Sequence, residues 1–421
     1  MAKQPTVQVH SEIGQLKRVI VHRPDEGISR ISPKKAEELL FDDIVYLPQM
    51  QEEHDLFVEV LSTFLGKENV LYTETLLAEA LVADPGTKAE LLQLIVEDEE
   101  LPKHYHDLLS GMPVKELTQV LISGYYRQED IIFFDPIPNF IFTRDIAVVI
   151  NDHVIITKAA KEARSRENFL TRFIFKAHPI FQELSESGRL INLNHIDLFP
   201  PSKKGERVSI EGGDVMMLNE DYLLIGCSER TTEHAIHSLK GVLFEKKVIK
   251  NVVQITVPAD RAFMHIDTLF THINHNHIAA FKPIVIDGLG SNVKVYRQNG
   301  AFTTYPSVKD FMSAEINPNM DYICSGNGQS PYQEREQWTD GCNLVALRPG
   351  IALTYDRNIK TEEAFREKGY QILTARKLIS GVKKGQIDPA TLTNTIITLP
   401  SNELSRARGG SHCMTCPIER G

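Results

Sequence analysis

No stretch of the sequence approaches the roughly 18 consecutive apolar residues that a membrane-spanning helix requires. The opening MAKQPTVQVHSEIGQ lacks the apolar core of a secretory signal. No low-complexity tract and no long Gly/Ser linker interrupts the chain. Cysteine is scarce: Cys227, Cys324, Cys342, Cys413 and Cys416 are the five in 421 residues. An odd, sparse set in a long chain argues against a disulfide framework and predicts reduced thiols in the cytoplasm. Positive charge is in deficit, with Lys+Arg 46 against Asp+Glu 56, a formal net charge of -10. Nucleic-acid binding needs a basic face and is disfavoured, whereas a cationic substrate would be mildly attracted. Core material is ample, at 42% hydrophobic and 24% charged residues, the profile of a globular protein. The length admits two or three domains, or one large closed fold with an insertion.

One region differs from the rest. Residues 74–130 read as helix after helix: LLAEALVA, TKAELLQLIVEDEEL and PVKELTQVLISG carry helical periodicity. Pro85-Gly86 and Gly111-Met112-Pro113 punctuate them. This predicts a helical module inserted into something else. The remainder alternates strands with helices and carries a weak internal repeat. FTRDIAVVINDHVIITKAAKEARSRENF starts at Asp145 and turns at Asn151-Asp152. Similar segments start at Asp214 (turning at Asn219-Glu220-Asp221), at Asp267 (turning near Asn274-His275-Asn276) and at Asn343 (turning at Pro349-Gly350). IGQLKRVIVHRPDEG is read as a fifth unit. Each of the first four puts an Asp or Asn just ahead of an apolar hairpin. Units that cannot bury their own faces stack around a common core. Five in a ring would bring the polar strand lead-ins to one end and build a site from Asp145, Glu211, Asp214, Asp267 and Asn343. Chance similarity between ordinary αβ segments is the alternative.

Three segments could carry chemistry. In RGGSHCMTCP, two glycines ahead of Cys413 suggest a tight turn or a close approach to ligand, and Arg and His beside a Cys can lower its pKa. A pair of ordinary thiols near the C-terminus is the competing reading. Cys413-Met-Thr-Cys416 also matches C-x-x-C, but it lies far from any early βαβ unit, and no second C-x-x-C exists to complete a zinc site. In MHIDTLFTHINHNH, His265 and Asp267 would share one face of a strand, an acid/base arrangement in which the carboxylate favours the imidazolium. The later histidines fall where a hairpin turn is expected and read as solvated or cap-forming, with a metal site as the rival. In EGGDV, Glu211 and Asp214 flank two glycines, which suits a planar guanidinium held bidentately. A turn with surface acids competes. One Cys, one His and several carboxylates together suit nucleophilic attack on a cation: carboxylates hold it, an acid protonates the departing nitrogen, and a thiolate divides the reaction into two steps.

With these residues in hand, the chain resembles the arginine deiminases of the guanidino-group-modifying superfamily. The resemblance rests on SEIGQLKRVIVHRP, ELLFDDI with EEHDLF, PNFIFTRD, ARSRENF, EGGDV, SERTT, MHIDT, EREQWTDG with YDRN, and RARGGSHCMTCP, in the family's order over nearly the whole chain. It implies an α/β fold: a five-bladed pseudo-symmetric α/β propeller of ββαβ-type repeats, one catalytic domain over residues 1–421, with residues 74–130 as the inserted helical module. That insertion favours deimination over the amidino transfer of related enzymes. The implied activity is hydrolysis of L-arginine to L-citrulline and ammonia, without metal or organic cofactor, in an assembly of two or more copies. The resemblance makes Cys413 the nucleophile and His265 the acid that protonates the leaving ammonia and then activates water. Asp145 and Asp267 would grip the guanidinium, with Glu211 holding it and assisting proton transfer. Asn139, Arg164 (or Arg166 in the same segment) and Arg230 would bind the substrate's α-carboxylate. Arg408 would sit on a gating loop, and Asp214 would stand just behind the site. Departures are the longer 375–398 segment, the loose match over 286–325, and Cys342 where Asn is more familiar. A transferase or a silent binding protein on the same fold are the rivals.

Overall fold

The computed structural model describes residues 7–41 and 43–421, so the first six residues and Asp42 of the ELLFDDI segment lie outside the described residues. Four of the six sheets among the described residues contain the same element, an antiparallel hairpin whose second strand pairs in parallel with a later strand, and a fifth reproduces the pairing without a hairpin. The first unit joins Ala147–Ile150 and His153–Ile156, runs through helix Ser165–Ala177, and adds Leu190–Asn192. The second joins Val215–Asn219, Tyr222–Cys227 and, after helix Glu233–Glu245, Asn251–Thr256. The third is Phe270–Asn274, His277–Ala280 and Asp321–Cys324. The fourth is Val345–Arg348, Ile351–Tyr355 and Thr395–Leu399, with Gln371–Thr374 on the outer side. Ala147–Ile150 is buried at every position, as is Ile351–Tyr355. That is why these strands read as unbroken apolar runs instead of alternating patterns. The hairpin turns fall where the Asn/Asp and Pro-Gly signals put them.

The fifth unit corrects the sequence reading. IGQLKRVIVHRPDEG supplies only one strand, Leu16–Val21, and no hairpin of its own. Its antiparallel partner is the C-terminal strand Cys416–Arg420, and Val70–Tyr72 pairs with it in parallel. The two ends of the chain therefore make one unit together, and the lead-in of that unit is the loop carrying Cys413. The loosely matching 286–325 segment also has a definite place: Asn292–Arg297 and Phe302–Tyr305 extend the second sheet outward. In 375–398 lies helix Ala375–Lys383, ahead of the last strand of the fourth unit.

Between the fifth and first units the chain forms helices Thr73–Ala83, Pro85–Asp98, His104–Gly111 and Val114–Ser123. A small hairpin of Tyr125–Tyr126 with Ile131–Ile132 follows them. Asp84 stops one helix and starts the next: its carboxylate accepts from Thr87 N at 2.9 Å, and Pro85 takes the first helical position. Leu77, Leu92 and Leu121 of this region share one core with Leu170 and Ile225 of the first two units. Helix Leu47–Leu65 packs with the fourth and fifth units through Met50, Phe57 and Leu61. No helix among the described residues is long and apolar enough to cross a membrane.

The five lead-ins are hydrogen-bonded in a closed order. Asp145 Oδ1 accepts from Gly213 N at 3.0 Å. Asp214 Oδ1 accepts from Ile266 N at 3.0 Å. The Asn343 amide donates to Asp267 O at 3.1 Å, while its Oδ1 accepts from His412 N at 3.1 Å and Cys413 N at 3.2 Å. Arg144 N then donates to Cys413 O at 3.0 Å, returning to the first unit. The side chains of Asp145, Asp214 and Asn343 thus each accept from the backbone of a neighbouring lead-in, where buried N–H groups need acceptors.

Candidate active site

The lead-ins floor a cavity of about 590 Å³ whose lining includes Asn139, Asp145, Arg164, Glu211, Arg230, His265, Arg408 and Cys413. Eight of the ten residues expected at the site are therefore brought to one space. The other two, Asp267 and Asp214, are buried beside it and fully inaccessible to solvent.

Cys413 is buried, and its Sγ lies 3.5 Å from Asp267 Oδ2. Burial, reinforced by the carboxylates of Asp267, Asp145 and Asp340, pushes the thiol well above its ordinary range. The partners around Asp267 explain its posture. His412 Nδ1 lies 2.8 Å from Asp267 Oδ2, and His412 Nε2 lies 3.2 Å from Glu12 Oε2. Glu12 in turn pairs with Arg144 at 3.3 Å. Burial works to raise the Asp267 carboxyl, but the His412 hydrogen bond and charge hold it below the usual range. Its other oxygen, Oδ1, is buried with no hydrogen-bond partner among the described residues. A buried anionic oxygen left open in this way is a seat for a donor.

His265 and Asp267 do not share a strand face, contrary to the sequence reading. His265 is extended ahead of a single 3-10 turn, Ile266–Thr268, and the two side chains diverge. The carboxylate partner of His265 is Glu211, at 2.9 Å from Nε2, with Asp145 Oδ1 at 3.9 Å from Nδ1. Burial disfavours the charged ring, but Asp145, Glu211 and Asp214 outweigh it and push the imidazolium up to about 10. Burial would likewise raise Glu211, which His265, Arg164 and Arg230 hold down instead. Asp214 accepts from Ser228 Oγ at 2.6 Å, and burial lifts its carboxyl to about 6. The glycines of EGGDV have a steric reason: a Cβ on Gly213 would sit 2.5 Å from His265 Nδ1.

Arg164 donates to Asp145 Oδ2 at 2.8 Å and to Glu167 at 2.8 Å, and stands 3.5 Å from Glu211 Oε2. Arg166 is elsewhere: it donates to Leu121 O at 3.0 Å and lies over the Phe134 ring, against the helical region. The open choice between the two thus falls to Arg164 for the cavity. Asn139 donates to Leu39 O at 2.7 Å, and Arg230 reaches Glu211 at 3.9 Å. Arg408 lies at the rim with its guanidinium over the Trp338 ring.

Asp145, Glu211 and His265 offer three ligand atoms within 4.8 Å of one another, which is metal-like spacing. Arg164 already places its guanidinium against both carboxylates. The later histidines also read differently in three dimensions. His272 is buried in a strand, while His277 Nδ1 lies 2.9 Å from Tyr370 Oη. Cys416 is buried with its thiol on Ala147 O at 3.2 Å, and burial pushes it up to about 12.

Glu12, Arg144, Glu167 and His412 were not legible as site residues. Arg144 and His412 each adjoin a residue that was, within TRD and SHC. Glu12 is 400 residues from His412, and only the meeting of the chain ends joins them.

A family model described as arginine deiminase matches residues 37–124 and 112–420. The arginine deiminase of Limosilactobacillus fermentum is 36% identical over 440 residues, covering 98% of each chain. That of Listeria monocytogenes serotype 4a is 33% identical over 444 residues, covering 100% of this chain and 99% of its own. Among solved structures, the N-terminal domain of ArgZ, an arginine dihydrolase from the ornithine-ammonia cycle in cyanobacteria, is 14% identical with a TM-score of 0.51, covering 96% of this chain and 97% of that one. SxtG, an amidinotransferase from Microseira wollei, is 14% identical with a TM-score of 0.54, covering 98% and 97%. These two share the mixed α/β fold.

Proposed function

The chain belongs to the arginine deiminase family, and we infer that it hydrolyses L-arginine to L-citrulline and ammonia through a covalent intermediate on Cys413. The observation that carries this reading is the open, buried Oδ1 of Asp267 beside the Cys413 thiol, in the same site as the His265–Glu211 pair. An anionic seat, a nucleophile and a charged acid are what the guanidinium carbon requires, because its resonance makes it a poor electrophile.

The chemistry follows from the electrostatics. A thiol surrounded by carboxylates resists ionisation until a cation arrives. The guanidinium supplies that charge and favours the thiolate beside the carbon to be attacked, the thiol proton leaving to solvent. Asp267 and Asp145 hold two of its nitrogens, and Glu211 holds it and assists proton transfer. Sulfur bonds to the carbon, and His265 gives its proton to the departing nitrogen, which leaves as ammonia. The ring, now neutral, takes a proton from water as that water attacks the thiouronium carbon. The C–S bond breaks, the product's hydroxyl proton passes to the released sulfur and restores the thiol, citrulline departs, and the ring is again charged. At the outer end Asn139, Arg164 and Arg230 bind the α-carboxylate, Arg408 closes over it, and Asp214 steadies the His265 segment from behind.

The same reading makes the five units a five-bladed α/β propeller with the site on its axis, supported by the closed order of hydrogen bonds between lead-ins. Residues 1–421 form one catalytic domain, into which the helices of 74–130 are inserted. No metal or organic cofactor takes part. A cytoplasmic location and assembly as dimers or larger complete the reading, the former supported by five unpaired thiols. The test is incubation of purified protein with L-arginine, with and without added glycine. Equal citrulline and ammonia, unchanged by glycine, is the expected result. Ornithine plus a new guanidino compound, without ammonia, would make it a transferase.

A further inference from the structure

Sulfur in the catalytic cavity is not confined to Cys413. The chain has nine methionines, and among the described residues every one except Met264 is buried. Met264 lines the cavity together with Cys413 and Arg230. Its Sδ accepts from Arg230 Nη2 at 3.7 Å. The backbone on both sides of Met264 is fixed: Gln337 donates to Ala262 O at 2.8 Å and to Thr268 O at 3.3 Å. Arg230 is tied at its own backbone, where its N–H donates to Ser228 Oγ at 3.0 Å. The link between the two segments is thus a contact of two long, jointed side chains, and a thioether is a weak acceptor.

This environment favours oxidation at one sulfur. Peroxide reaches an open thioether more readily than one packed in the core. The thiols compete poorly, because peroxide reacts with the thiolate. Burial pushes the Cys413 thiol well up, Cys227 up to about 11, and Cys324 in the same direction. Hydrogen peroxide alone balances the step. A lone pair of Sδ bonds to one peroxide oxygen, the O–O bond breaks, and the sulfur is oxidised by two electrons to the sulfoxide. The second oxygen leaves as water, taking the proton that the first gives up. The new S=O oxygen is borne on the atom that Arg230 Nη2 already addresses.

We propose that Met264 is a site of reversible oxidation, and that its sulfoxide captures the Arg230 guanidinium and withholds it from the substrate's carboxylate. The proposal rests on the reading of Arg230 as a carboxylate contact. A sulfoxide oxygen is a better acceptor than a thioether, so a guanidinium held by it must be freed before it pairs with substrate. Apparent affinity then falls by the fraction held. Reduction of the sulfoxide returns the thioether and frees the arm. His265 follows Met264 directly, and a displaced backbone would strike kcat. The Gln337 hydrogen bonds hold that backbone, so the effect falls on KM.

Graded hydrogen peroxide, a peptide mass map and steady-state kinetics with L-arginine test this. Met264 is expected to gain one oxygen before the buried methionines and the cysteines do. KM should then rise about three- to tenfold, the worth of one hydrogen bond, with kcat moved less. Oxidation of Met264 no sooner than of the buried methionines would overturn the site. Oxidised Met264 with an unchanged KM would overturn the capture. Methionine sulfoxide reductase with dithiothreitol should restore KM. Full recovery with dithiothreitol alone would assign the change to a cysteine and refute the proposal. In Met264→Leu, a swap of similar volume, the same peroxide should leave that variant's KM where it was; a rise equal to the parent's would place the effect elsewhere. The map and the reductase arm use the parent protein, so they stand even if the variant fails to fold. An Arg230→Ala variant with the parent's KM would instead refute the carboxylate reading, and the capture with it, with the oxidation site decided by the map.

Discussion

Replacing His412 by Leu would leave two buried carboxylates, Asp267 and Glu12, without the imidazole that bridges them at 2.8 and 3.2 Å. Leucine fills a similar volume, so the loss is electrostatic more than steric. Removing one partner of a buried ion pair costs about 3–5 kcal/mol; Glu12 keeps Arg144, so most of that falls on Asp267. The cost depends on pH, and its sign can be worked out. In the parent, the Asp267 carboxyl is held low, so its contribution is present above the unfolded pKa and is lost as pH falls through the lower folded value. In the variant, burial dominates and raises it, so stability is instead lost as pH rises past the unfolded value. The deficit relative to the parent should therefore grow from acid toward neutral pH. Urea unfolding at pH 5 and pH 8 measures it: about 3–5 kcal/mol is expected at pH 8 and distinctly less at pH 5. A deficit below about 1 kcal/mol at pH 8, or one equal at both values, would refute the claim that His412 sets the charge state of Asp267.

Two other outcomes follow from the same geometry. Gly213→Ala drives a methyl to 2.5 Å from His265 Nδ1 and so displaces the ring. A fall in kcat of about 10²-fold with the fold retained by circular dichroism is expected, and activity within threefold of the parent would contradict the placement. The His265 ring is raised to about 10 in the folded protein. Its contribution is therefore complete below the unfolded value near 6.5 and disappears as pH rises through about 10. Unfolding midpoints should decline across that alkaline window in the parent and decline less in Glu211→Gln, whereas parallel curves would sink the pairing.

Much of the architecture was legible because local signals and burial agreed. Asn151-Asp152 and Pro349-Gly350 mark real turns, and the buried strands are unbroken apolar runs. Asp145, Asp214 and Asn343 ahead of their hairpins accept from buried N–H groups of neighbouring lead-ins, whereas Asp267 turns its carboxylate to His412. What was hidden depends on long-range closure. The partner strand of Leu16–Val21 is at the other end of the chain, and no local pattern announces such a pairing. Glu12 and Arg144 reach the site only through it. The His265–Asp267 pairing failed because period-two alternation holds in strands, and the chain there makes a 3-10 turn that redirects His265 to Glu211. His272 was taken for a turn residue because three histidines sit close together, yet its position is in the buried strand before the turn.

The central claim, a covalent intermediate on Cys413, is tested most directly by acid-quenching the protein during turnover of L-arginine and mapping its peptides by mass, with Cys413→Ala assayed in parallel. The account predicts an adduct equal to arginine less ammonia on the peptide containing Cys413, and no citrulline from the variant. Citrulline formed by Cys413→Ala at a rate near the parent's, or an adduct on another residue, would contradict it.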